Sequence, residues 1–252
     1  MASRFVNATS TGVSWGPSTL TRLPSATPLT LSCWARRNNA ASNATYTVMS
    51  IDNNNASRTE AYLSIVQASA GANVKARVDT LVGGSGSNGV VGTTQLEYGP
   101  WYHICASVTN SAGYVLYVNG VQDGTVASSM TMTGLVTLRQ MTNFSGSTFR
   151  GWTCEACVWN EVLTLSEVKM LAVGVDPRKV RPAALRSFVC PRGQVRADRE
   201  VLSGVEGIVA GTYTNTTWGP DPLQLNLSRR RNRAKSTAPA ANRRRRVLLM
   251  VG

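Results

Sequence analysis

Between residues 30 and 160 apolar and polar positions alternate in short runs separated by turn residues, the period-two pattern of strands with one buried face. In residues 30–35, Leu31, Cys33 and Ala35 share one side. In residues 74–79, Val74, Ala76 and Val78 point inward and Lys75, Arg77 and Asp79 outward. Residues 46–51, 62–67, 135–141 and 151–160 read as further strands, and the glycine-rich 83–89 (GGSGSNG) as a flexible turn or loop. The most informative stretch is 99–126. Its run 101–108 (WYHICASV) puts Tyr102, Ile104, Ala106 and Val108 on one face; 110–113 (NSAG) has turn chemistry, and 114–118 (YVLYV) resumes the strand. Asn119-Gly120 then supplies the dipeptide favoured by a type I′ turn. Short strands punctuated in this way predict an antiparallel sandwich.

One segment changes period. Thr164 and Glu167 have capping-box spacing, Leu165, Val168, Leu171 and Ala172 share one helical face, and Gly174 and Pro177 provide a stop. A surface helix of two to three turns is expected there. Beyond it, residues 178–191 are basic and proline-spaced, which predicts an extended crossing segment, and 208–218 reads as a strand or hairpin. Residues 223–252 have too little apolar surface to fold alone.

At 252 residues the chain can bury a sizeable core. Its net charge of +13 is unevenly placed: nine basic and no acidic side chains lie in 229–246, leaving +4 elsewhere. This describes a mildly basic body with a strongly basic arm. The N-terminal stretch lacks the apolar core of a signal peptide, and the apolar run 247–251 is far too short to span a membrane. The five cysteines, Cys33, Cys105, Cys154, Cys157 and Cys190, are expected to be reduced, small core residues. Cys154 and Cys157 form a CxxC, but strand positions three apart face opposite ways and the sole histidine is His103, so no metal site is expected there.

Three segments in order resemble laminin-G-like, concanavalin A-like jelly-roll domains: 28–35 (PLTLSCWA), the 101–120 hairpin, and 149–160 (FRGWTCEACVWN) followed by 163–167 (LTLSE). The resemblance implies an all-β, antiparallel β-sandwich jelly roll with one short helix and an extended basic C-terminal arm. The organisation expected is a jelly roll over 1–175, an extension with closing strands over 176–228, and an Arg-rich arm over 229–252. The stretch 177–222 also looks like the continuation found in laminin-G-like proteins of tailed bacteriophages.

Candidate chemistry is sparse. Related glucanases carry alternating carboxylates on one strand, because the reaction needs two carboxyls close together. No such run exists here; Glu155 and Glu161 are the nearest approach, and no catalytic residue is expected. His103 is expected to be packed or hydrogen-bonded rather than to act as a base. The resemblance implies that calcium could sit at the rim with Asp52 and Asp123 as ligands; read alone, both are solvated turn acids. No other cofactor is expected. Sugar binding would use aromatic platforms, with Trp101, Tyr102, Trp152 and Trp159 as candidates, although tryptophans in a sandwich often belong to the core. In the arm, Arg229, Arg230, Arg231, Arg233, Arg243, Arg244, Arg245 and Arg246 form an electrostatic clamp, and Val247, Leu248 and Leu249 begin a strand able to add to a neighbour's sheet edge.

Together these features lead to an expectation of a non-enzymatic structural protein of a bacteriophage particle, assembled in the host cytoplasm. The first choice is a capsid decoration (cement) or head-fibre protein. It would dock through the arm onto capsid or other virion proteins, form a homo-oligomer such as a trimer, and bind glycans through its loops. The alternative is a carbohydrate-binding tail-fibre adhesin. A glycan hydrolase and a nucleic-acid-associated protein are weaker options, and no membrane partner is expected.

Overall fold

The computed structural model describes residues 4–6, 12–15, 22–37, 44–67, 73–110, 112–127, 131–145, 149, 151–189, 202 and 208–210. In chain order the strands are β1 (Arg4–Val6), β2 (Gly12–Trp15), β3 (Leu29–Arg37), β4 (Ala44–Asp52), β5 (Glu60–Gln67), β6 (Val74–Val82) and β7 (Ser85–Gln95). They continue with β8 (Trp101–Val108), β9 (Tyr114–Val118), β10 (Val121–Val126), β11 (Thr137–Gln140), β12 (Gly151–Trp159), β13 (Leu185–Val189) and β14 (Ile208–Ala210). One helix, α1 (Leu165–Ala172), lies between β12 and β13.

The strands form two antiparallel sheets. Sheet one has the order β1-β12-β3-β8-β9-β10, with β13 also paired to β12; sheet two has the order β14-β2-β11-β4-β5-β6-β7. Their facing sides form the main core, where Leu29, Leu31, Cys33 and Ala35 of β3 meet Met49, Ile51, Leu63 and Ile65 of sheet two. The inward set anticipated for β6 is observed, with Val74, Ala76 and Val78 buried. The all-β sandwich with one short helix is therefore the architecture of the body. Residues beyond 175 contribute to both sheets, β13 pairing with β12 and β14 with β2. The Arg-rich arm lies outside the described residues.

A second, smaller core covers part of sheet one's outer face. Cys105, Tyr117, Cys157 and Trp159 project there and are roofed by Leu163, by Val168 and Leu171 of α1, and by Val180, Leu185 and Phe188. The helix starts where expected: Glu167 N donates to Thr164 Oγ1 at 3.3 Å, and Thr164 N donates to Glu167 Oε2 at 2.7 Å.

Two expectations need correction. Residues 83–89 are not a loop throughout: Gly83 and Gly84, with φ of 67° and 76°, make a tight turn, and β7 begins at Ser85. The strand looks like a linker because it is rich in glycine and serine. Two of its glycines answer a steric need, since a Cβ on Gly89 would collide with the Asp79 carboxylate and one on Gly92 with that of Asp123. The segment after α1 is likewise not simply extended. It makes a 3-10 turn at Pro177–Lys179 before entering β13.

Candidate functional site

The period-two pleat puts Thr30, Ser32, Trp34 and Arg36 of β3 on sheet one's outer face. The antiparallel register builds rows across it. Trp159 and Ser107 flank Thr30, Cys157 and Cys105 flank Ser32, Cys154 and His103 flank Trp34, and Trp152 and Trp101 flank Arg36. The first rows lie under the second core. The last does not: Trp152, Arg36 and Trp101 are all partly exposed. Adjacent strands are about 4.8 Å apart, so the two indoles rise from backbone positions about 10 Å apart with Arg36 on the strand between them. The Arg36 guanidinium carbon lies 4.6 Å from the Trp152 ring centroid, a cation–π contact that holds both groups in place. Two aromatic faces framing a multiple hydrogen-bond donor can stack sugar rings and bind their oxygens.

Two of the aromatic candidates do not join this row. Trp159 is fully buried and its Nε1 donates to Val180 O at 3.0 Å, so it is a core residue. Tyr102 projects from the opposite face of β8, packs against the main core, and its hydroxyl accepts from Glu97 N at 2.9 Å. Arg36 was not among the candidates; its alternation with Trp34 in the run 34–37 (WARR) is the signal that places it outward.

On sheet two's outer face the acidic side chains are enclosed. Asp52 is buried and receives Arg139 Nε at 2.6 Å and Asn54 N at 2.8 Å. Glu60, opposite it on β5, is also buried, and its Oε1 accepts from Phe144 N at 3.3 Å. Burial, with the charge of Asp52, pushes Glu60 up to about 7. The Phe144 ring lies 5.4 Å from the Arg139 guanidinium, so the Phe144 segment closes over both carboxylates. In the next row Asp79 is paired with Arg77, and burial still lifts it above the usual carboxylate range.

The remaining candidates are enclosed. Asp123 is buried; its Oδ1 accepts from Thr93 Oγ1 at 2.9 Å, Thr94 N at 2.9 Å and Thr94 Oγ1 at 2.6 Å. Neither Asp52 nor Asp123 is the solvated turn acid expected, and the described residues contain no group of three or more His, Cys, Asp or Glu able to hold a metal ion. His103 Nε2 lies 2.8 Å from Ser32 Oγ, and burial lowers its pKa to about 3, leaving a neutral ring. Glu155 stands in a bulge of β12 with φ of 52°; burial, with the charge of Asp176, raises it to about 7. Cys33, Cys105, Cys154 and Cys157 are buried and form no disulfide among the described residues, and burial drives the Cys33 and Cys105 thiols upward. The bulge at Glu155 puts Cys154 and Cys157 on the same face of β12, not on opposite faces as strict alternation predicts. Cys190 lies outside the described residues. No described helix is long and apolar enough to cross a membrane.

Residues 7–169 match the model of the concanavalin A-like lectin/glucanases superfamily. No curated protein matches the sequence. Among solved structures, a candidate carbohydrate-binding protein from Bacteroides ovatus aligns with a TM-score of 0.60 and 16% identity over 86% of this chain and 59% of that one. The heptameric SAP-like pentraxin of Limulus polyphemus aligns with a TM-score of 0.55 and 16% identity over 88% of this chain and 95% of its own. The enzymatically active domain of tailspike protein 2 of bacteriophage CBA120 aligns with a TM-score of 0.50 and 13% identity over 67% and 27%. At these identities the likenesses show a shared fold. The chain thus spans about three fifths of the Bacteroides protein it resembles.

Proposed function

The chain belongs to the concanavalin A-like lectin/glucanases superfamily, and on that premise we propose that it is a non-enzymatic, glycan-binding structural protein of a bacteriophage particle. The observation that carries the glycan-binding part is the partly exposed Trp152, Arg36 and Trp101 row on sheet one. The non-enzymatic part is supported by the fate of the adjacent carboxylates Asp52 and Glu60. Both are buried, Asp52 is engaged by Arg139, and neither offers a face to a substrate.

Placement in a particle is supported by the resemblance of 177–222 to phage-encoded laminin-G-like proteins and by the arm's composition. A capsid decoration or head-fibre role uses the arm as the docking element, with arginines clamping an acidic neighbour and 247–251 adding as a strand. A tail-fibre adhesin is the second reading, favoured by the partly exposed aromatic row.

Two experiments test the parts separately. A glycan microarray probed with full-length protein and with the Trp101→Ala, Trp152→Ala double variant tests glycan binding; signal lost in the variant supports it, and no signal from either protein overturns it. Binding of full-length and 1–228 proteins to undecorated phage capsids tests docking. Loss on truncation supports the decoration role, and equal behaviour contradicts it.

A further inference from the structure

We propose that the Trp152–Arg36–Trp101 row binds an acidic polysaccharide, with Arg36 holding a carboxylate or sulfate while sugar rings lie on the indoles; the inference rests on the glycan-binding reading above.

The state of Arg36 carries the argument. Four described arginines are paired with carboxylates, Arg77 with Asp79, Arg139 with Asp52, Arg178 with Asp176, and Arg181 with Glu161 and Glu167, and Arg37, stacked on the Tyr98 ring, donates to Leu96 O and the Tyr98 hydroxyl. Arg36 has no carboxylate partner among the described residues. What it touches is the Trp152 ring, 4.6 Å away. Its Nε is buried and meets no acceptor among the described residues, although the residue as a whole is partly exposed. The guanidinium is therefore partly stripped of water on its inner edge, uncompensated by an anion among the described residues, and held in place by an indole.

An unsatisfied buried donor on a charged group is unfavourable in the free protein, and an acceptor brought by a ligand relieves it. A charged acceptor relieves it most, because charge-assisted and bidentate hydrogen bonds to guanidinium are the strongest available. The surroundings add no competing negative charge in the next row, where His103 is neutral and buried beside Trp34, at 5.3 Å between ring centroids. A neutral sugar would satisfy the indoles and leave the cation with only hydroxyls. An acidic sugar uses all three side chains at once.

The test uses full-length protein and a panel of uronates (polygalacturonate, alginate, hyaluronan) and sulfated glycans (dextran sulfate, chondroitin sulfate), each beside its methyl-esterified or desulfated counterpart. The charged member of at least one pair should bind about tenfold or more tightly than its neutral form. Whether a uronate or a sulfated glycan gives that preference distinguishes the two anions. Arg36→Gln should abolish the preference, and Arg36→Lys, which keeps the charge but loses the fork, should retain part of it. Because the arm is strongly basic, the Arg36 variants are decisive: a preference that survives Arg36→Gln belongs to the arm and overturns the proposal. Equal affinity within every pair, or no binding to any member, overturns it too. If the microarray still shows neutral glycans held by Trp101 and Trp152, the glycan-binding reading survives and only the acidic class falls; an empty microarray removes both.

Discussion

Asp123 accepts two hydrogen bonds from Thr94, one from its hydroxyl at 2.6 Å and one from its amide at 2.9 Å, and so ties the edge strand of one sheet to the edge strand of the other. A bulge makes this contact. The pairing of β10 with β9 slips between Gln122 and Gly124, which takes Asp123 out of the ladder and turns it toward β7. Gly92 leaves the room that the carboxylate fills. Asp123→Ala should therefore destabilise the fold by about 1.5–3 kcal/mol, the range for hydrogen bonds to a charged group. Gly92→Ala should also destabilise it, by steric conflict. Urea denaturation of both variants checks this; unchanged midpoints would dissolve the clasp.

Glu60 makes stability depend on pH. Its folded pKa of about 7 exceeds the ordinary 4.5, so between these values the folded state holds a proton that the unfolded chain has released. Its contribution is fully present below about pH 4.5 and is lost as pH rises toward 7. Glu155 acts in the same direction. Glu60→Gln should remove part of this slope and stabilise the protein by roughly 1–3 kcal/mol at pH 8 relative to wild type. Thermal melts from pH 4 to 8 would show the two curves converging at the acid end.

Arg139 neutralises a buried charge. Arg139→Ala leaves Asp52 without its guanidinium and should destabilise the fold by about 3–5 kcal/mol, as for other broken buried pairs. The double change Arg139→Met, Asp52→Leu should recover most of that loss, which chemical denaturation of the three proteins measures.

Calcium ligation would need carboxylates free to bind. Asp52 is committed to Arg139 and Asn54, and Asp123 to Thr93 and Thr94. Adding calcium or a chelator should leave the melting temperature unchanged, and a calcium-dependent rise of several degrees would reassign one of these sites.

Much of the sandwich could be read from the sequence because alternation survives where one face meets a core, as in β3, β6 and β8. It failed at β7, whose glycines are needed by the carboxylates of Asp79 and Asp123, a reason visible only once distant strands are brought together. The site was legible in part. Trp101 and Trp152 lie 51 positions apart in sequence, and only their register on either side of β3 makes Arg36 their common neighbour. Trp159 was misplaced for the complementary reason. Alternation puts it on sheet one's outer face, but it cannot foretell that α1 and the segment up to Phe188 roof that end of the sheet.

The most direct test of the central claim is affinity electrophoresis of wild type, Trp101→Ala, Trp152→Ala and Trp159→Phe through gels containing a polysaccharide bound by the wild type, with folding of each checked by circular dichroism. Retardation lost in the Trp101 and Trp152 variants and kept in Trp159→Phe is the result predicted for a glycan site on the Trp152–Arg36–Trp101 row of sheet one. Retardation that persists in both Trp101→Ala and Trp152→Ala would contradict it.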